Sequence, residues 1–321
     1  MQRRTLLAAG AATLAMPGIT RAQGSFPDRP VRVIVPFPPG GATDIVARMV
    51  CERLQARWRQ SVVIENRGGA GTIVGTQATA RATPDGYTLG FVISAHTINP
   101  SLRRDLPYDT MRDFAHVTQV ARAHVALLAH PDVPARTLRE VVELSKRQQG
   151  GLSVATPGVG TVMHMIMELL AAESGANLVH VPYQGGAPAL ADVTTGRVPL
   201  MLDPWHSARP QVEAGRLRVI AASSSIPVPG AETIPLMNVD YPQVVAFSVI
   251  GMVAPAGTPP AIVSQVQQDV HAVVHAPEMV ARMGEMGLEP VASTPAEFTR
   301  LVETEIPRWR EVVRARNIQP M

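Results

Sequence analysis

Four times along this chain, a short apolar strand runs into a glycine-containing loop and then into a helix. The first strand is Val31–Val35, a β-branched run typical of buried parallel strands, and the loop that follows is 36–44. The other three loops are 66–72, 156–161 and 183–188. Alternation of strands and helices is typical of proteins whose helices cover both faces of a largely parallel sheet. We therefore predict an α/β fold.

Two long apolar runs divide these loops into two groups. Val117–Ala129 is long enough to pass from one lobe into another, and Val244–Val253 can bring the chain back. We therefore predict a two-lobed molecule with two crossover strands. Lobe 1 is expected to comprise residues 23–122 plus 226–321, and lobe 2 residues 123–225. Two lobes joined by two crossings form a hinge and leave a cleft between them.

The N-terminus has the composition of an export signal. Arg3 and Arg4 precede an Ala/Leu-rich run, and Thr20–Ala22 offers small residues for cleavage, so residues 1–22 are predicted to be a signal peptide. A buried first helix is the alternative. The apolar run Leu6–Ile19 is shorter than the roughly 20 residues that a membrane span needs. The paired arginines suit both the twin-arginine and the general secretory route, and both stay open.

Removal of this segment changes the charge balance of the protein. The chain has 29 basic and 26 acidic residues, and three of the basic ones and none of the acidic ones lie in the segment. The remaining chain is therefore close to neutral and has a single lysine, Lys146. Without a basic stripe, nucleic acid is excluded as a partner. An anionic ligand has to be held by local geometry instead of by the overall field.

The residues that could bind a metal or act as a nucleophile are few. Cys51 is the only cysteine, which excludes an internal disulfide and a cysteine-based zinc site. It lies in an apolar helical pattern, where a buried, inert thiol is favoured over a nucleophile. His164 and Glu168 have the spacing of a helical metal pair, but the sequence offers no third ligand. We predict no metal and no cofactor.

The glycine loops have the chemistry of an anion site. Each opens a helix, and the first turn of a helix carries backbone N–H groups without internal acceptors and a partial positive charge. Glycine allows a ligand to approach that backbone closely. The loops 36–44 and 156–161 belong to different predicted lobes, so a cleft between them suits a ligand with a carboxylate at each end. For any single loop, a simple tight turn is the alternative.

Seven motifs, in order along nearly the whole chain, resemble the Bug family of periplasmic solute receptors of tripartite tricarboxylate transporters. They are Arg29–Asp44, Glu65–Arg67, Pro84–Leu89, Leu106–Asp109, Thr156–Thr161 with His164, Val181–Gly186 and Ala254–Pro259. The resemblance implies a Venus-flytrap fold similar to type II binding proteins. It implies a periplasmic monomer that captures a small carboxylate (mono-, di- or tricarboxylate, or an amino acid). The implied partners are the membrane subunits of such a transporter.

The resemblance also implies which residues bind the ligand, largely through backbone amides and bridging waters. In lobe 1 these are Phe37, Gly40, Gly41 and Asp44 and, at the end of a strand, Ser94, Ala95 and His96. In lobe 2 they are Thr156, Gly158, Gly160, Thr161, His164, Tyr183 and Gly185 and, at the end of a strand, Asp203. Asp44 either caps its helix or contacts an amine or water of the ligand. His164 donates to the ligand or to a neighbouring carbonyl, and Tyr183 is either structural or ligand-binding.

The chain departs from the family pattern at four positions, and three functional interpretations stay open. Gly68 and Thr72 are expected to alter the cleft rim, and Val249 and Pro307 to affect packing.

A transport receptor is favoured, and a ligand-sensing partner of a signalling system is the alternative. A hydrolase is the least favoured interpretation, because the chain lacks a Gly-x-Ser-x-Gly elbow, a Walker loop and a His-Glu-x-x-His motif.

Overall fold

The computed structural model describes residues 26–318, in which strands and helices alternate. The predicted signal peptide, 1–22, lies outside the described residues. The strands are β1 (Val31–Val35), β2 (Val62–Asn66), β3 (Thr88–Ile93), β4 (Phe114–Ala129), β5 (Leu152–Thr156), β6 (Leu178–Pro182), β7 (Leu200–Pro204), β8 (Arg218–Ala222), β9 (Phe247–Pro255) and β10 (Leu288–Pro290). The helices are α1 (Ala42–Trp58), α2 (Ile73–Ala80), α3 (Ala95–Leu102), α4 (Leu138–Arg147), α5 (Val162–Ser174), α6 (Gly186–Thr194), α7 (Trp205–Glu213), α8 (Met237–Asp240), α9 (Pro260–Val274), α10 (Pro277–Glu285) and α11 (Pro295–Ala315).

The strands are hydrogen-bonded in the order β2-β1-β3-β9-β4-β7-β5-β6, and β8 and β10 also pair with β4. β1, β2 and β3 are parallel to one another, and so are β5, β6 and β7. β9 is antiparallel to β3, and β4 is antiparallel to both β9 and β7. This mixed sheet, in which two sets of three parallel strands are joined by antiparallel strands, confirms the α/β prediction. In the described part of the chain, no helix is both long and apolar enough to cross a membrane.

β4 connects the two halves of the sheet. Its residues from Phe114 to His124 pair with β9, and those from Val125 to Ala129 pair with β7. We call the half that contains β1–β3 the first sheet and the half that contains β5–β7 the second sheet. The predicted first crossing therefore corresponds to β4, which begins three residues before the apolar run.

The chain returns from the second sheet through residues 223–246. The Ser223 N–H donates to the Val125 carbonyl at 2.9 Å, and the Ala246 N–H donates to the Ser223 carbonyl at 2.8 Å. The predicted return strand, Val244–Val253, starts too early, because β9 begins only at Phe247. The N–H groups of residues 244 and 245 donate within turns, to the carbonyls of residues 241 and 243, and do not enter the ladder.

Helix α11 spans the cores of both halves. Phe298, Val302 and Ile306 pack with first-sheet residues. One turn later, Trp309 joins the core cluster that contains Met165 of α5. Pro307, inside α11, lies between these two contacts. The C-terminal helix is therefore a third connection between the halves, beside the two crossings of the chain.

We expect Trp309→Ala to lower the free energy of unfolding by about 3–5 kcal/mol, because it removes a fully buried indole from the second-sheet core. Urea denaturation followed by circular dichroism measures this. Val239→Ala is the control, since that side chain is 77% exposed and its removal is expected to cost less than about 0.5 kcal/mol. Equal losses for the two variants would contradict the packing described for α11.

Candidate functional site

The strand register brings the carboxyl ends of the two parallel strand sets face to face. Ile93, at the end of β3, pairs with Ile250 of β9, which pairs with Ala121 of β4. Pro204, at the end of β7, pairs with Val125 of β4. β3 and β7 run in opposite directions along β4, and Ala121 and Val125 are only four positions apart, roughly 13 Å at about 3.3 Å per residue. The loops that leave the two sets therefore open into one cleft, with this part of β4 at its base.

The first-sheet loop, residues 36–44, is built around the side chain of Asp44. That carboxylate is 1% exposed and accepts from the Gly40 N–H at 2.9 Å and the Arg48 Nε–H at 2.8 Å. Its other oxygen accepts from Asn66 Nδ2 at 2.7 Å, and the same amide donates to the Phe37 carbonyl at 2.9 Å. Asn66 of β2 thus holds both ends of the loop, Phe37 and Asp44.

The charge of Asp44 is neutralised inside the loop. Burial alone would raise its pKa, but hydrogen bonds from Arg48, Gly40 and Asn66 outweigh burial and lower the pKa to about 2. Helix α1 begins after Gly41, and no side chain caps its N-terminus. Both oxygens of Asp44 have protein donors, so this residue shapes the loop and leaves the first-turn N–H groups of α1 without internal acceptors.

The second-sheet loop, residues 156–161, closes on itself through two threonines. The Thr161 hydroxyl donates to the Gly158 carbonyl at 2.8 Å and accepts from the His164 N–H at 3.3 Å, which caps α5. The Gly158 N–H donates to the Thr156 hydroxyl at 3.3 Å. A Cβ on Gly158 would lie 3.1 Å from the Tyr183 carbonyl oxygen, so only glycine fits without displacement.

The loop after β6 is held against this second-sheet loop. The Gly185 N–H donates to the Pro157 carbonyl at 2.9 Å, and the Tyr183 N–H donates to the Thr156 carbonyl at 3.0 Å. The Tyr183 hydroxyl donates to Asp192 at 2.8 Å and thereby fixes the loop to α6. The side chain of Tyr183 therefore has a structural role in this loop pair.

His164 lies under the second-sheet loop and uses both ring nitrogens within the protein. Its Nδ1 accepts from the Gly160 N–H at 3.3 Å, and its Nε2 is 3.6 Å from a carboxylate oxygen of Glu168. Its ring stacks on His180 with centroids 3.9 Å apart. The second oxygen of Glu168 accepts from Arg316 at 2.8 Å. A neighbouring guanidinium disfavours a cation on this pair, and residues 26–318 contain no cluster of three metal-ligating side chains.

Asp203 is the penultimate residue of β7 and lies beside the start of α6. It is 3% exposed and accepts a hydrogen bond from the Ser207 hydroxyl. A Cβ on Gly186 would lie 3.2 Å from one of its oxygens. Burial raises the pKa of Asp203 to about 7, partly opposed by the bond from Ser207. The charge of Asp203, at the carboxyl ends of the parallel strands of the second sheet, therefore changes near neutral pH.

The residues at the end of β3 divide between the cleft and the core. Ser94 accepts from the Val249 N–H at 2.9 Å and anchors β9, and Ala95 begins α3. His96 is 2% exposed, with its Nε2 3.4 Å from the Nε2 of His116 and its ring edge-on to Phe114. The first turn of α3 directs this imidazole into the first-sheet core. Contrary to expectation from its place after β3, His96 is enclosed and does not line the cleft.

Sequence reasoning overlooked Arg48 and Arg316, and it considered Glu168 only as half of a metal pair. Arg48 holds Asp44, and Glu168 and Arg316 hold His164. The i,i+4 spacing of Asp44 with Arg48 is a local signal that could have identified the first of them. No local pattern points to Arg316, which lies 148 residues from Glu168 in sequence.

Comparison with known proteins places this architecture in a family. Residues 46–318 match the family model described as tripartite tricarboxylate transporter family receptor (TctC). The periplasmic binding protein BugD is 31% identical, with a TM-score of 0.76 over 92% of this chain and 99% of that one.

Two ligand-bound structures from Rhodopseudomonas palustris are equally similar. Rpa4515 with adipate is 30% identical, with a TM-score of 0.80 over 92% of this chain and all of that one. MatC (Rpa3494) with bound malate is also 30% identical, with a TM-score of 0.75 over 90% of this chain and all of that one. These likenesses confirm the two-lobed fold of periplasmic binding proteins. The chain belongs to the receptor family of the tripartite tricarboxylate transporters, the TctC or Bug family.

Proposed function

We propose that this protein captures a small carboxylate between its two lobes in the periplasm and delivers it to the membrane subunits of a tripartite tricarboxylate transporter. The observation that carries the proposal is the strand register on β4. It places the carboxyl ends of the two parallel strand sets opposite each other, so that the first-sheet and second-sheet loops face one cleft. The adipate and malate bound by similar receptors support a carboxylate as the ligand. We propose a monomer that binds its ligand without transforming it.

The proposed ligand contacts come from loops of both lobes. Asp44 and His164 act by positioning the loop backbone. The direct contacts come from the loops that carry the remaining cleft residues, with the Tyr183 side chain kept for support of its loop. These residues are Phe37, Gly40, Gly41, Ser94, Ala95, Thr156, Gly158, Gly160, Thr161, Tyr183, Gly185 and Asp203. Lobe 1 is proposed as residues 23–122 plus 226–321 and lobe 2 as 123–225, supported by the change of β4 partner between His124 and Val125.

Affinity requires both loops at once. A micromolar ligand needs about 8 kcal/mol of binding free energy, whereas one helix N-terminus contributes at most about 2 kcal/mol. Several charge-assisted hydrogen bonds of roughly 1.5–3 kcal/mol each must therefore act together. Because the two sets of donors lie on different lobes, the ligand stabilises the closed arrangement relative to the open one.

A thermal-shift screen of mono-, di- and tricarboxylates, followed by calorimetry, tests the proposal. A true ligand at 100 times its Kd is expected to raise the free energy of unfolding by about 2.7 kcal/mol. The matching amides and alcohols of the same carbon skeletons are the controls and should leave stability unchanged. Equal stabilisation by these neutral analogues, or none by any carboxylate, would contradict the proposal.

Ligand affinity is expected to fall as pH rises from 6 to 8. Asp203 is neutral below its pKa of about 7 and anionic above it, and the anionic form repels a carboxylate in the cleft. One released proton gives a slope of at most about tenfold in Kd per pH unit. Burial, with a smaller contribution from nearby His164, lowers the pKa of His180 to about 4, so His180 stays neutral throughout this range.

Calorimetry at several pH values measures this dependence. Asp203→Asn should bind with the same Kd at pH 6 and pH 8, whereas Asp132→Asn, whose side chain is 92% exposed, should retain the wild-type slope. A wild-type Kd that is flat across this range would contradict the role given to Asp203.

A further inference from the structure

A chain of polar contacts connects the end of α11 to the second-sheet loop. Arg316 Nε donates to one oxygen of Glu168 at 2.8 Å, and the other oxygen lies 3.6 Å from His164 Nε2. His164 Nδ1 accepts from the Gly160 N–H at 3.3 Å. Glu168 and His164 are 8% and 4% exposed, so the contacts between them are shielded from water.

We propose that Glu168 and Arg316 are positioning residues of the carboxylate site, which act through His164 on the backbone of Gly160. The inference rests on the proposed function, since the loop that these residues hold is one of the two that bind the ligand. It assigns a role in ligand capture to residues that lie outside the cleft.

The charge of Glu168 fixes the tautomer of His164. Burial alone would raise the pKa of Glu168, but hydrogen bonds from His164 and Arg316 outweigh burial and lower it. An ionised carboxylate only accepts hydrogen bonds, so Glu168, 3.6 Å away, favours the tautomer with the proton on Nε2. Nδ1 then carries no proton and can accept from the Gly160 N–H. This hydrogen bond helps to hold Gly160 at its φ of +77°.

A second imidazole supports this arrangement from the other side. His180 stacks on His164 with an interplanar angle of 10°. Its Nε2 is 2.6 Å from the Thr156 hydroxyl, at the start of the same loop. The ring of His164 therefore cannot rotate without disturbing both ends of the second-sheet loop.

The position of Arg316 is set by α11, a helix that packs against both lobes. Ile306 of α11 packs on the first-sheet side and Trp309 on the second-sheet side, and Arg316 follows at the end of the helix. A shift of one lobe relative to the other therefore moves the guanidinium that holds Glu168. The network connects the relative position of the lobes to the backbone that receives the ligand.

The experiment compares full-length wild type with Glu168→Gln and Arg316→Ala. The ligand probe is adipate, titrated by calorimetry. Both variants are expected to raise the Kd about tenfold, the effect of one lost hydrogen bond to a charged group. Arg316→Lys, which retains the charge, should recover part of this loss. Arg314→Ala is the matched control, because Arg314 lies on the same helix and its side chain pairs with exposed Glu311.

Two readouts on the ligand-free protein separate positioning from general damage to the fold. Imidazole ¹⁵N shifts should show His164 with its proton on Nε2 in wild type and a mixture of tautomers in Glu168→Gln. Hydrogen exchange of the Gly160 amide should be at least about tenfold faster in Glu168→Gln and Arg316→Ala than in Arg314→Ala.

Unchanged tautomer and exchange in both variants would overturn the inference, as would wild-type Kd values. Failure of wild type to bind adipate or any other carboxylate would instead count against the proposed function. The tautomer and exchange measurements would still decide whether the network holds Gly160.

Discussion

Gly160→Val is expected to raise the Kd for a carboxylate ligand at least about 100-fold while the protein still folds. Gly160 has a φ of +77°, in a region that a β-branched residue strongly disfavours. To relieve the strain, the backbone must rotate, which breaks the bond from the Gly160 N–H to His164 and displaces the first-turn N–H groups of α5 that are left to bind the ligand. Loss of two charge-assisted hydrogen bonds to the ligand accounts for an effect of this size.

Gly150→Val provides a control with the same backbone strain. Gly150 has a φ of +82°, and a Cβ there would meet no other atom within 4 Å. It lies in the exposed turn between α4 and β5, at the opposite end of β5 from Thr156. Calorimetry should give Gly150→Val the wild-type Kd. Equal Kd values for both variants would show that the second-sheet loop does not take part in ligand binding.

Asp44→Ala should damage both stability and ligand capture. It leaves the Gly40 N–H and the Asn66 amide without their buried acceptor and removes the charged partner of Arg48, which keeps its bond to the Asn66 oxygen. The expected loss in the free energy of unfolding is about 2–4 kcal/mol, with at least a tenfold rise in Kd because the first-sheet loop loses its support. Urea denaturation and calorimetry measure the two effects.

Glu143→Ala is the control for this variant. Glu143 pairs with Lys146 and Arg147 on an exposed helix face, and such pairs contribute at most about 1 kcal/mol. If the two substitutions cost the same, the carboxylate of Asp44 does not hold the loop.

The pH dependence of stability gives an independent check on Asp44. Its folded-state pKa of about 2 is below the unfolded value of 3.8, so its contribution is present above pH 4 and is lost as pH falls towards 2. Wild type should therefore lose more stability than Asp44→Ala between pH 4 and pH 2. Parallel losses in the two proteins would contradict the partners assigned to this carboxylate.

Local patterns were sufficient to predict β1 and the two loops proposed to bind the ligand, but they placed the start of β9 three residues too early. β1 has the predicted bounds, Val31–Val35, because a β-branched apolar run between Pro30 and Pro36 has no helical alternative. The loops 36–44 and 156–161 were recognised by glycine before a helical pattern. That they face each other followed from the two predicted crossings, of which β4 is one.

The side-chain roles were harder to predict, because they depend on partners far away in sequence. Asp44 has the position of a helix-capping residue, but Asn66 and Arg48 make it the centre of its loop. His96 follows a strand that ends at the cleft, yet the start of α3 at Ala95 turns its ring towards His116. Hydrophobic periodicity does not encode such contacts.

The most direct test of two facing loops is a ¹⁵N-glycine spectrum recorded during titration with a carboxylate that binds. Gly40 and Gly41 of the first-sheet loop and Gly158 and Gly160 of the second-sheet loop report on the two lobes separately, and Gly150 and Gly215 serve as internal references. We predict that both loops shift together with one Kd while the references stay fixed. Saturable binding that shifts the glycines of only one loop would contradict capture between the lobes.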